Sequence, residues 1–241
     1  MELPLAFTDR TKNLLKDEYP AFEKALREES PVSIRLNPLK TNSGLFGQEQ
    51  VPWCKNGYYL QDRPAFTFDP RFHAGAYYVQ EASSMFLDHV IRQHIIRPVR
   101  YLDLCAAPGG KTTLALSALP EGSLVVCNEI VRNRAHVLAE NIIKWGNPYC
   151  IVTNNDSATF NSLKHYFDVI LTDVPCSGEG MFRKDPVAVQ EWSASNVGLC
   201  SERQKEILHN IWDALRPGGI LIYSTCTYNT DENELIADYI Q

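Results

Sequence analysis

Apolar runs and helix-period patterns alternate along the last two thirds of the chain, from about residue 73 onward. Short apolar runs of strand length predict five strands, at residues 99–104, 124–128, 150–153, 167–172 and 219–224. Between them, apolar residues recur at helical spacing over 111–119, over 131–145, and through Ile207, Ile211 and Leu215 as far as Pro217. Strands that alternate with helices indicate an α/β fold with a doubly wound, mainly parallel sheet.

The first part of the chain follows a different pattern. An amphipathic helix is predicted around residues 12–29, and short strand candidates follow at 31–36 and 57–60. We therefore expect a small N-terminal α+β domain over residues 1–72 and a second domain over residues 73–241. The last residues, from Glu232, predict the start of a helix. An exposed sheet edge promotes pairing with other chains. The sequence therefore leaves open the possibility that it is a fragment whose sheet lacks its C-terminal strands.

Composition narrows the class of protein. The chain has 241 residues, of which 44% are hydrophobic and 22% charged, as in ordinary globular proteins. No apolar stretch reaches the length of a membrane span, and Met1 to Leu5 lacks the pattern of a signal peptide. We expect a soluble cytoplasmic protein without a membrane partner. The net charge of −6 does not favour a nucleic-acid binder, although local basic patches matter more than the total.

Seven cysteines are scattered along the chain without a Cys-x-x-Cys pair, which argues against a disulfide framework and against a zinc site. The six histidines show no ligand spacing either, so we expect no metal. Cys127 and Cys150 lie in apolar stretches and are predicted to be inert and buried. Cys176 and Cys226 each follow a predicted strand, where a parallel sheet binds its ligands. A thiolate there can act as nucleophile or base.

The segment between the first strand and its helix predicts a cofactor loop, because its small residues allow a ligand to approach the backbone closely. A phosphate-binding P-loop would need glycine at position 105, which is Cys105, and the Gly-x-Gly-x-x-Gly fingerprint is absent. A nucleoside with a non-phosphate tail remains. The middle of this segment consists of Cys105, Ala106, Ala107, Pro108, Gly109, Gly110 and Lys111.

Two acidic residues follow the next strands. Glu129, after the second strand, is placed to bind both ribose hydroxyls. Asp156, after the third strand, could accept a hydrogen bond from an adenine amino group. Taken alone, Glu129 is more simply a charge at a helix N-terminus and Asp156 a turn or cap residue. Together with the loop they predict a nucleoside site.

The motifs of the chain resemble those of RNA (cytosine-5) methyltransferases of the bacterial rRNA type, which are related to the eukaryotic NOL1/NOP2/Sun proteins. The matching segments are residues 34–37, 80–85, 103–112, 173–186, 224–227 and 232–234. The resemblance implies a Rossmann-like core that binds S-adenosylmethionine through the loop at 105–111 and through Glu129, Asp156 and Asp173. Such proteins usually continue past the last motif, and some bacterial members add a C-terminal RNA-binding module.

The activity implied by the resemblance is methylation of cytosine carbon 5 in RNA. Carbon 5 is a poor nucleophile until a thiolate adds to carbon 6 and forms an enamine. By resemblance Cys226 is the nucleophile, Cys176 helps to remove the carbon 5 proton, and Asp173 hydrogen-bonds the base. In DNA cytosine-5 methyltransferases the nucleophile is the cysteine of the Pro-Cys pair, here Cys176, and sequence chemistry alone does not choose. The Thr-Cys-Thr motif around Cys226 favours Cys226.

The implied partner is RNA, with small-subunit rRNA as the first expectation and tRNA as the second, and no obligate protein partner is evident. Since the base must leave its stack, a loop or a partly assembled helix is the expected target. Residues 1–72 are a candidate RNA-binding domain, and the candidate contacts to the RNA backbone are Arg35, Lys40, Arg183 and Lys184. A solvated surface charge is the alternative for each of the four, and it is favoured for Lys40 but not for Arg183 and Lys184. The alternatives are a methyltransferase-like RNA-binding or assembly factor without turnover, an NTPase, and a methyltransferase acting on protein or on an amine.

Overall fold

A computed structural model describes residues 3–41 and 49–240, which divide into two compact units. Unit 1 combines Met1–Ser30, Asp173–Trp212 and Tyr223–Gln241. Unit 2 combines Pro31–Thr172 and Asp213–Ile222. The predicted domain boundary between residues 72 and 73 falls within unit 2 and stays a prediction. Residues 1, 2, 42–48 and 241, which the predicted domain ranges include, lie outside the described residues.

The elements are numbered here in chain order. Within the described residues the helices are α1 (Leu5–Leu15), α2 (Tyr19–Arg27), α3 (Pro70–His73), α4 (Leu87–His94), α5 (Gly110–Ala118), α6 (Arg132–Trp145), α7 (Pro186–Glu191), α8 (Ala194–Ile211) and α9 (Glu234–Ile240). The strands are β1 (Val32–Leu36), β2 (Gly57–Leu60), β3 (Tyr77–Val79), β4 (Arg100–Asp103), β5 (Leu124–Asn128), β6 (Cys150–Thr153), β7 (Phe167–Asp173) and β8 (Leu215–Ser224).

Two sheets are formed. The small one has the order β2-β1-β3, and both of its strand pairs are antiparallel. The large one has the order β6-β5-β4-β7-β8, in which β4 is parallel to β5 and to β7, and β5 is parallel to β6. The first strand of this sheet, β4, is therefore central, and the chain winds outward from it in both directions. This order confirms the predicted doubly wound α/β fold.

Burial explains why the predicted helix over 131–145 forms where it does. Its buried residues are spaced three or four apart, at Ala135, Leu138, Ile142 and Trp145. They pack toward the core of unit 2, which includes the buried strand residues of the large sheet. Gly146 ends the helix in a left-handed conformation, φ +83°, and donates its amide to Ile142. The predicted helix end is thus confirmed.

The predicted N-terminal helix over 12–29 was wrong in its extent. The structure has α1 and α2 instead, with a short 3-10 segment over Lys16–Glu18 between them. Pro20 lacks the amide that would bond to the Lys16 carbonyl four residues earlier, so one helix cannot run through. Lys16 itself adopts a positive φ of 49°. The Tyr19 amide bonds to the Lys16 carbonyl in its place.

The predicted long helix through Leu215 was also wrong at its end. Helix α8 stops at Ile211, and Leu215 already belongs to β8. The carbonyl of Asp213 accepts the amide of His165 at 2.7 Å, whereas Pro217 has no amide to offer it. The chain therefore leaves the helix and starts the strand earlier than the apolar spacing indicates.

Unit 1 has its own core, formed largely by aromatic residues. Its members are Phe7, Leu26, Phe182, Trp192 and Val197. The Phe7 ring lies edge-on to Phe182 and to Trp192, with centroid distances of 5.0 and 5.8 Å.

Among the helices that the structure describes, none is long and apolar enough to cross a membrane.

Candidate functional site

Unit 1 brings Cys176 and Cys226 into contact, and we call them the cysteine pair. Cys176 follows the end of β7, and Cys226 follows the end of β8. Their Sγ atoms lie 3.1 Å apart, and the Cys226 amide donates to the Cys176 sulfur at 3.3 Å. Cys226 is exposed and Cys176 is half-buried. The Cys226 thiol is thus open to a substrate. The Cys176 sulfur lies behind it, within hydrogen-bonding distance of the Cys226 thiol.

The surroundings of Cys176 favour its thiolate. The hydrogen bond from the Cys226 thiol is the largest cause that lowers the pKa of Cys176, and burial opposes it. The amides of Cys226 and Gly178 also donate to the sulfur, whereas the charge of Glu232 works against the thiolate. A thiolate that accepts several hydrogen bonds is the form that can take a proton at neutral pH.

Asp173 is the last residue of β7. Its Oδ1 accepts a hydrogen bond from the Ser224 hydroxyl, and the next amide, of Val174, donates to the Ser224 carbonyl at 3.1 Å. These two bonds tie the end of β7 to the end of β8. The cysteine turns that follow the two strands therefore start from a fixed position.

A buried polar network holds the two cysteine turns together. Ser177 and Thr227, each one residue beyond a cysteine, have their hydroxyl oxygens 3.0 Å apart. Glu232 is completely buried and accepts the Ser177 amide at 3.0 Å. Asn229 donates to Thr227 at 2.7 Å and to Glu232 at 2.8 Å. Since buried polar groups are costly unless satisfied, this network fixes one arrangement of the cysteine pair.

A second buried carboxylate, Glu179, lies in the turn after Cys176. Its side chain is 0% exposed. It accepts the amide of Tyr228 at 2.9 Å and the indole N–H of Trp192 at 3.0 Å, and it forms an ion pair with Arg10 of α1. The adjoining Gly180 amide donates to the Cys226 carbonyl at 2.8 Å.

In unit 2, the predicted cofactor loop connects β4 to α5. The Ala106 amide donates to the Asn128 carbonyl at 2.8 Å, and the Gly109 amide to the Ala106 carbonyl at 2.7 Å. Gly109 precedes the helix with φ +107°, a conformation that glycine adopts without strain. Asp103 is buried at the end of β4 and accepts the Thr112 hydroxyl at 2.6 Å. Backbone hydrogen bonds therefore hold the loop in place, and the buried Asp103 carboxylate connects its start to α5 through Thr112.

Arg35 does not take the predicted role of an RNA contact, because it is buried, with 1% of its surface exposed. It donates to the Thr113 hydroxyl at 2.6 Å, to the Gly110 carbonyl at 3.1 Å and to the Gln80 side chain at 2.8 Å. Its guanidinium also lies over the Trp145 ring at 4.6 Å. Burial lowers its pKa to about 10. Arg35 thus holds the first turn of α5, which follows the cofactor loop.

The two acidic residues predicted for a nucleoside have different surroundings in unit 2. Glu129 is buried at the end of β5, accepts the Val131 amide at 3.0 Å and lies 3.5 Å from the Arg134 guanidinium. Asp156 is exposed and caps a short 3-10 segment by accepting the Ala158 amide at 2.9 Å. The structure shows the capping role for Asp156, and its contact with a base stays a prediction.

The other predicted backbone contacts are also largely engaged within their units. Lys40 donates to the carbonyls of Ala74 and Lys144, at 2.9 and 2.6 Å. Arg183 donates to the Glu28 and Glu29 carbonyls, at 3.2 and 2.9 Å. Lys184 is exposed. Within residues 3–41 and 49–240, no group of three or more potential ligand side chains is arranged to hold a metal ion.

Sequence reasoning did not assign roles to four residues that the structure places around the functional loops, the buried Asp103, Glu179 and Glu232 and the partly buried Arg10. Three of them lie inside or beside motifs that the sequence did single out. The available signal was a charged residue within a run of small or apolar ones, as in Gly-Glu-Gly at 178–180. Arg10 gave no such signal, because its partner is 169 positions away in the chain.

Comparison with known proteins gives matches over most of the chain. The family described as 16S rRNA methyltransferase RsmB/F matches residues 96–241, and the N-terminal domain of 16S rRNA methyltransferase RsmF matches residues 3–82. The chain is 35% identical to the ribosomal RNA small subunit methyltransferase F of Pectobacterium atrosepticum, over 99% of this chain and 53% of that protein. The protein of the same name from Shewanella oneidensis is 38% identical, over 87% of this chain and 47% of its own length.

The chain thus spans about half the length of the curated relatives it matches. Among solved structures, a methyltransferase homologue from Pyrococcus horikoshii is 28% identical, with a TM-score of 0.82 over 97% of this chain and 77% of that one. NSun6 from Pyrococcus horikoshii, solved with SFG, has a TM-score of 0.85 at 20% identity, over 98% of this chain and 86% of that one. At that identity the second likeness concerns the fold.

Proposed function

The chain belongs to the 16S rRNA methyltransferase RsmB/F family, and from that premise we propose that it methylates carbon 5 of a cytosine in small-subunit rRNA. S-adenosylmethionine is the proposed methyl donor. The observation that carries the proposal is the cysteine pair, with its sulfur atoms 3.1 Å apart. Methylation of carbon 5 needs one thiol to activate the base and a second group to remove a proton, whereas methylation of an amine needs neither.

In the proposed mechanism the Cys226 thiol passes its proton to ring nitrogen 3 of the base and its sulfur forms a bond to carbon 6, so that the electrons of the carbon 5–carbon 6 double bond make carbon 5 nucleophilic. Carbon 5 then takes the methyl group. The carbon 5 proton passes to the Cys176 thiolate, and the released electron pair restores the double bond as the bond between sulfur and carbon 6 breaks. The hydrogen bonds that lower the pKa of Cys176 support this role as a base.

Asp173 is proposed to hydrogen-bond the base near its ring nitrogen 3 and so to stabilise the adduct. Its carboxylate already accepts the Ser224 hydroxyl, which orients it at the end of β7. A carboxylate has two oxygen atoms with about four acceptor sites in all, so it can bind more than one donor. Cys226 is kept as the nucleophile because it is the exposed member of the cysteine pair.

The residues of unit 2 fit a nucleoside cofactor with a non-phosphate tail. Small side chains and the positive φ of Gly109 leave the backbone before α5 accessible, and the buried Glu129 carboxylate offers acceptors for ribose hydroxyls. Residues 105–111, Glu129 and Asp156 of this unit are the proposed binding residues, and Asp173, the last residue of β7, stays the further one that the resemblance implies. When bound, S-adenosylmethionine supplies a methyl group activated by its positively charged sulfur.

The proposed partner is RNA and the proposed compartment is the bacterial cytoplasm. We keep residues 1–72 as a candidate RNA-binding domain and Lys184 as a candidate backbone contact, since Lys184 is exposed. The names of the relatives support small-subunit rRNA over tRNA. Because those relatives are about twice as long, RNA affinity and turnover are proposed for the whole protein.

The test is methyl transfer from labelled S-adenosylmethionine to rRNA from cells that lack the enzyme, with this chain and with a version of the relatives' full length. Wild type, Cys176→Ala and Cys226→Ala are compared on a denaturing gel and by mass spectrometry. We expect Cys176→Ala to accumulate a covalent protein–RNA adduct and Cys226→Ala to form none.

Two other results would redirect the proposal. RNA binding without methyl transfer at full length would favour an assembly factor without turnover. Transfer to tRNA and not to rRNA would keep the chemistry and change the substrate. Transfer that neither cysteine substitution affects would contradict carbon methylation altogether.

A further inference from the structure

Glu179 connects directly to the backbone on both sides of Cys226. Its Oε2 accepts the amide of Tyr228 at 2.9 Å, and the next residue, Gly180, donates its amide to the Cys226 carbonyl at 2.8 Å. A Cβ atom on Gly180 would lie only 2.8 Å from that carbonyl oxygen, so the two turns approach as closely as backbone allows. The position of Cys226 therefore depends on where the Glu179 turn is held.

Glu179 carries a charge that has no access to solvent, since its side chain is 0% exposed, whereas that of Arg10 is 27% exposed. Its other oxygen, Oε1, accepts the Trp192 indole at 3.0 Å and the Asn229 amide group at 3.2 Å, and it pairs with the Arg10 guanidinium. Arg10 is the cation that forms an ion pair with this carboxylate in the structure. A buried carboxylate that loses its cation is strongly unfavourable.

Arg10 is itself held in place by the aromatic core of unit 1. Its guanidinium lies over the Trp192 ring at 5.3 Å and over the Phe7 ring at 5.8 Å. Phe7 and Arg10 both belong to α1. The N-terminal helix therefore presents a cation at a fixed place inside the unit, although sequence analysis assigns that helix only to a candidate RNA-binding domain.

We propose that Glu179 is a positioning residue for Cys226 and that Arg10 of α1 is the counter-ion that keeps it in place. On this account α1 is part of the catalytic machinery, because the cysteine pair keeps its sulfur contact only while the Glu179 charge is balanced. The inference rests on the proposed function for its catalytic meaning. The N-terminal helix α1 thereby has a role that none of the sequence motifs of the chain indicates.

The test measures how fast diamide links Cys176 to Cys226 in the 241-residue chain, followed by peptide mass spectrometry. The rate reports how often the two sulfur atoms meet, and a displacement of about 1 Å lowers such rates by about tenfold to a hundredfold. The variants are Arg10→Met, Glu179→Gln and the double variant Arg10→Met/Glu179→Gln. The matched control is Arg27→Met, which removes the exposed pair of Arg27 with Glu23 on α2.

We expect Arg10→Met to slow the linking by about tenfold or more, and Arg27→Met to leave it unchanged. Glu179→Gln keeps a carbonyl oxygen for the Tyr228 amide and removes the charge, so it should link close to the wild-type rate. The double variant should recover most of the rate that Arg10→Met loses. Single-turnover methyl transfer should follow the same order.

Two outcomes would overturn the proposal. One is a wild-type linking rate in Arg10→Met; the other is a double variant as slow as Arg10→Met, which would make Arg10 a packing residue. If Arg10→Met does not fold, the double variant decides: it must fold and link near the wild-type rate. Linking needs neither RNA nor cofactor, so this pattern in the 241-residue chain, together with a full-length version that fails to methylate RNA, contradicts the proposed function and leaves the positioning role standing.

Discussion

Each compact unit contains two cysteines whose sulfur atoms are in contact, and the two contacts have opposite consequences. In unit 1 the cysteine pair, Cys176 and Cys226, has an Sγ–Sγ distance of 3.1 Å. In unit 2 the sulfur atoms of Cys127 and Cys150 are 3.5 Å apart. The first contact lowers the pKa of Cys176, whereas the second raises the pKa of Cys127.

The difference comes from the donors around each sulfur. The Cys176 sulfur accepts from the Cys226 thiol and from backbone amides, all of which favour a negative charge. Cys127 is instead in the position of a donor, to the Cys150 sulfur and to the Ile151 carbonyl at 3.5 Å. It is also completely buried, and the Cys150 and Asp103 charges act in the same direction as burial.

The comparison teaches that contact between two thiols does not by itself make either of them reactive. Backbone amides are available to Cys176 because it lies in a turn after β7, where they are not used by a strand partner. Cys127 lies inside β5, and the amides of a strand are used by its neighbours. The direction of the hydrogen bond between the two thiols, together with the backbone donors at a strand end, distinguishes Cys176 from Cys127.

The largest expected effect is a contrast in labelling. Iodoacetamide at neutral pH should alkylate Cys176 more than tenfold faster than Cys127, because the pKa of Cys176 is lowered, the pKa of Cys127 is raised, and Cys127 is buried. Peptide mass spectrometry over time measures the rates. In denaturant the rates should become equal. Native labelling of Cys127 within tenfold of Cys176 would break the comparison.

If unit 2 binds the cofactor and its cysteines are inert, replacing a residue that holds the end of the cofactor loop should weaken cofactor binding. Arg35→Met removes the donors to Gly110 and Thr113 at the first turn of α5, and each such charged hydrogen bond contributes about 1.5–3 kcal/mol. We expect S-adenosylhomocysteine to bind about tenfold more weakly by calorimetry. Lys40→Met, which removes bonds to the Ala74 and Lys144 carbonyls, is the control and should bind normally. Equal affinities in the two variants would argue against the role of Arg35.

The pH dependence of Cys176 sharpens the comparison further. Its lowered pKa means that alkylation of Cys176 is lost only as the pH falls through a value below that of an ordinary thiol, about 8.5. Cys226→Ala removes the main donor, so the pKa of Cys176 should rise and alkylation at neutral pH should slow severalfold. Cys150→Ala is the matched variant in unit 2 and should leave Cys127 slow. An unchanged midpoint for Cys176 would show that the backbone amides suffice.

The smallest expected effect concerns the buried acid beside the cysteine pair. The Glu232 charge raises the pKa of Cys176, so Glu232→Gln should speed its alkylation at neutral pH by about threefold. Glu202→Gln on α8, which is exposed and paired with Lys205, is the control and should have no effect. Slower alkylation in Glu232→Gln would mean that its bond to the Ser177 amide matters more than its charge.

Sequence patterning predicted the strands of the large sheet closely, because each is a short apolar run beside a turn signal. It misjudged the two places where a proline removes a helical amide, since apolar spacing continues past Pro20 and up to Pro217. The spacing of residues within one turn could be read from the sequence, whereas hydrogen bonds between distant segments could not. Arg35 shows this most clearly: as an arginine in the candidate RNA-binding domain it indicated an RNA contact, and its burial beside the first turn of α5 follows only from the tertiary structure.

The order of the elements, the loop after β4 and the two cysteines at strand ends could all be predicted from the sequence, because local periodicity and turn residues specify these within a few positions. Which side chains meet depends on the folded units: Cys176 contacts Cys226, Glu179 pairs with Arg10, and Arg35 bonds to α5. A pKa and the balance of a buried charge depend on distances in space and not on separation along the chain. Residues 50 or 169 positions apart in the chain acquire that distance only when the units fold.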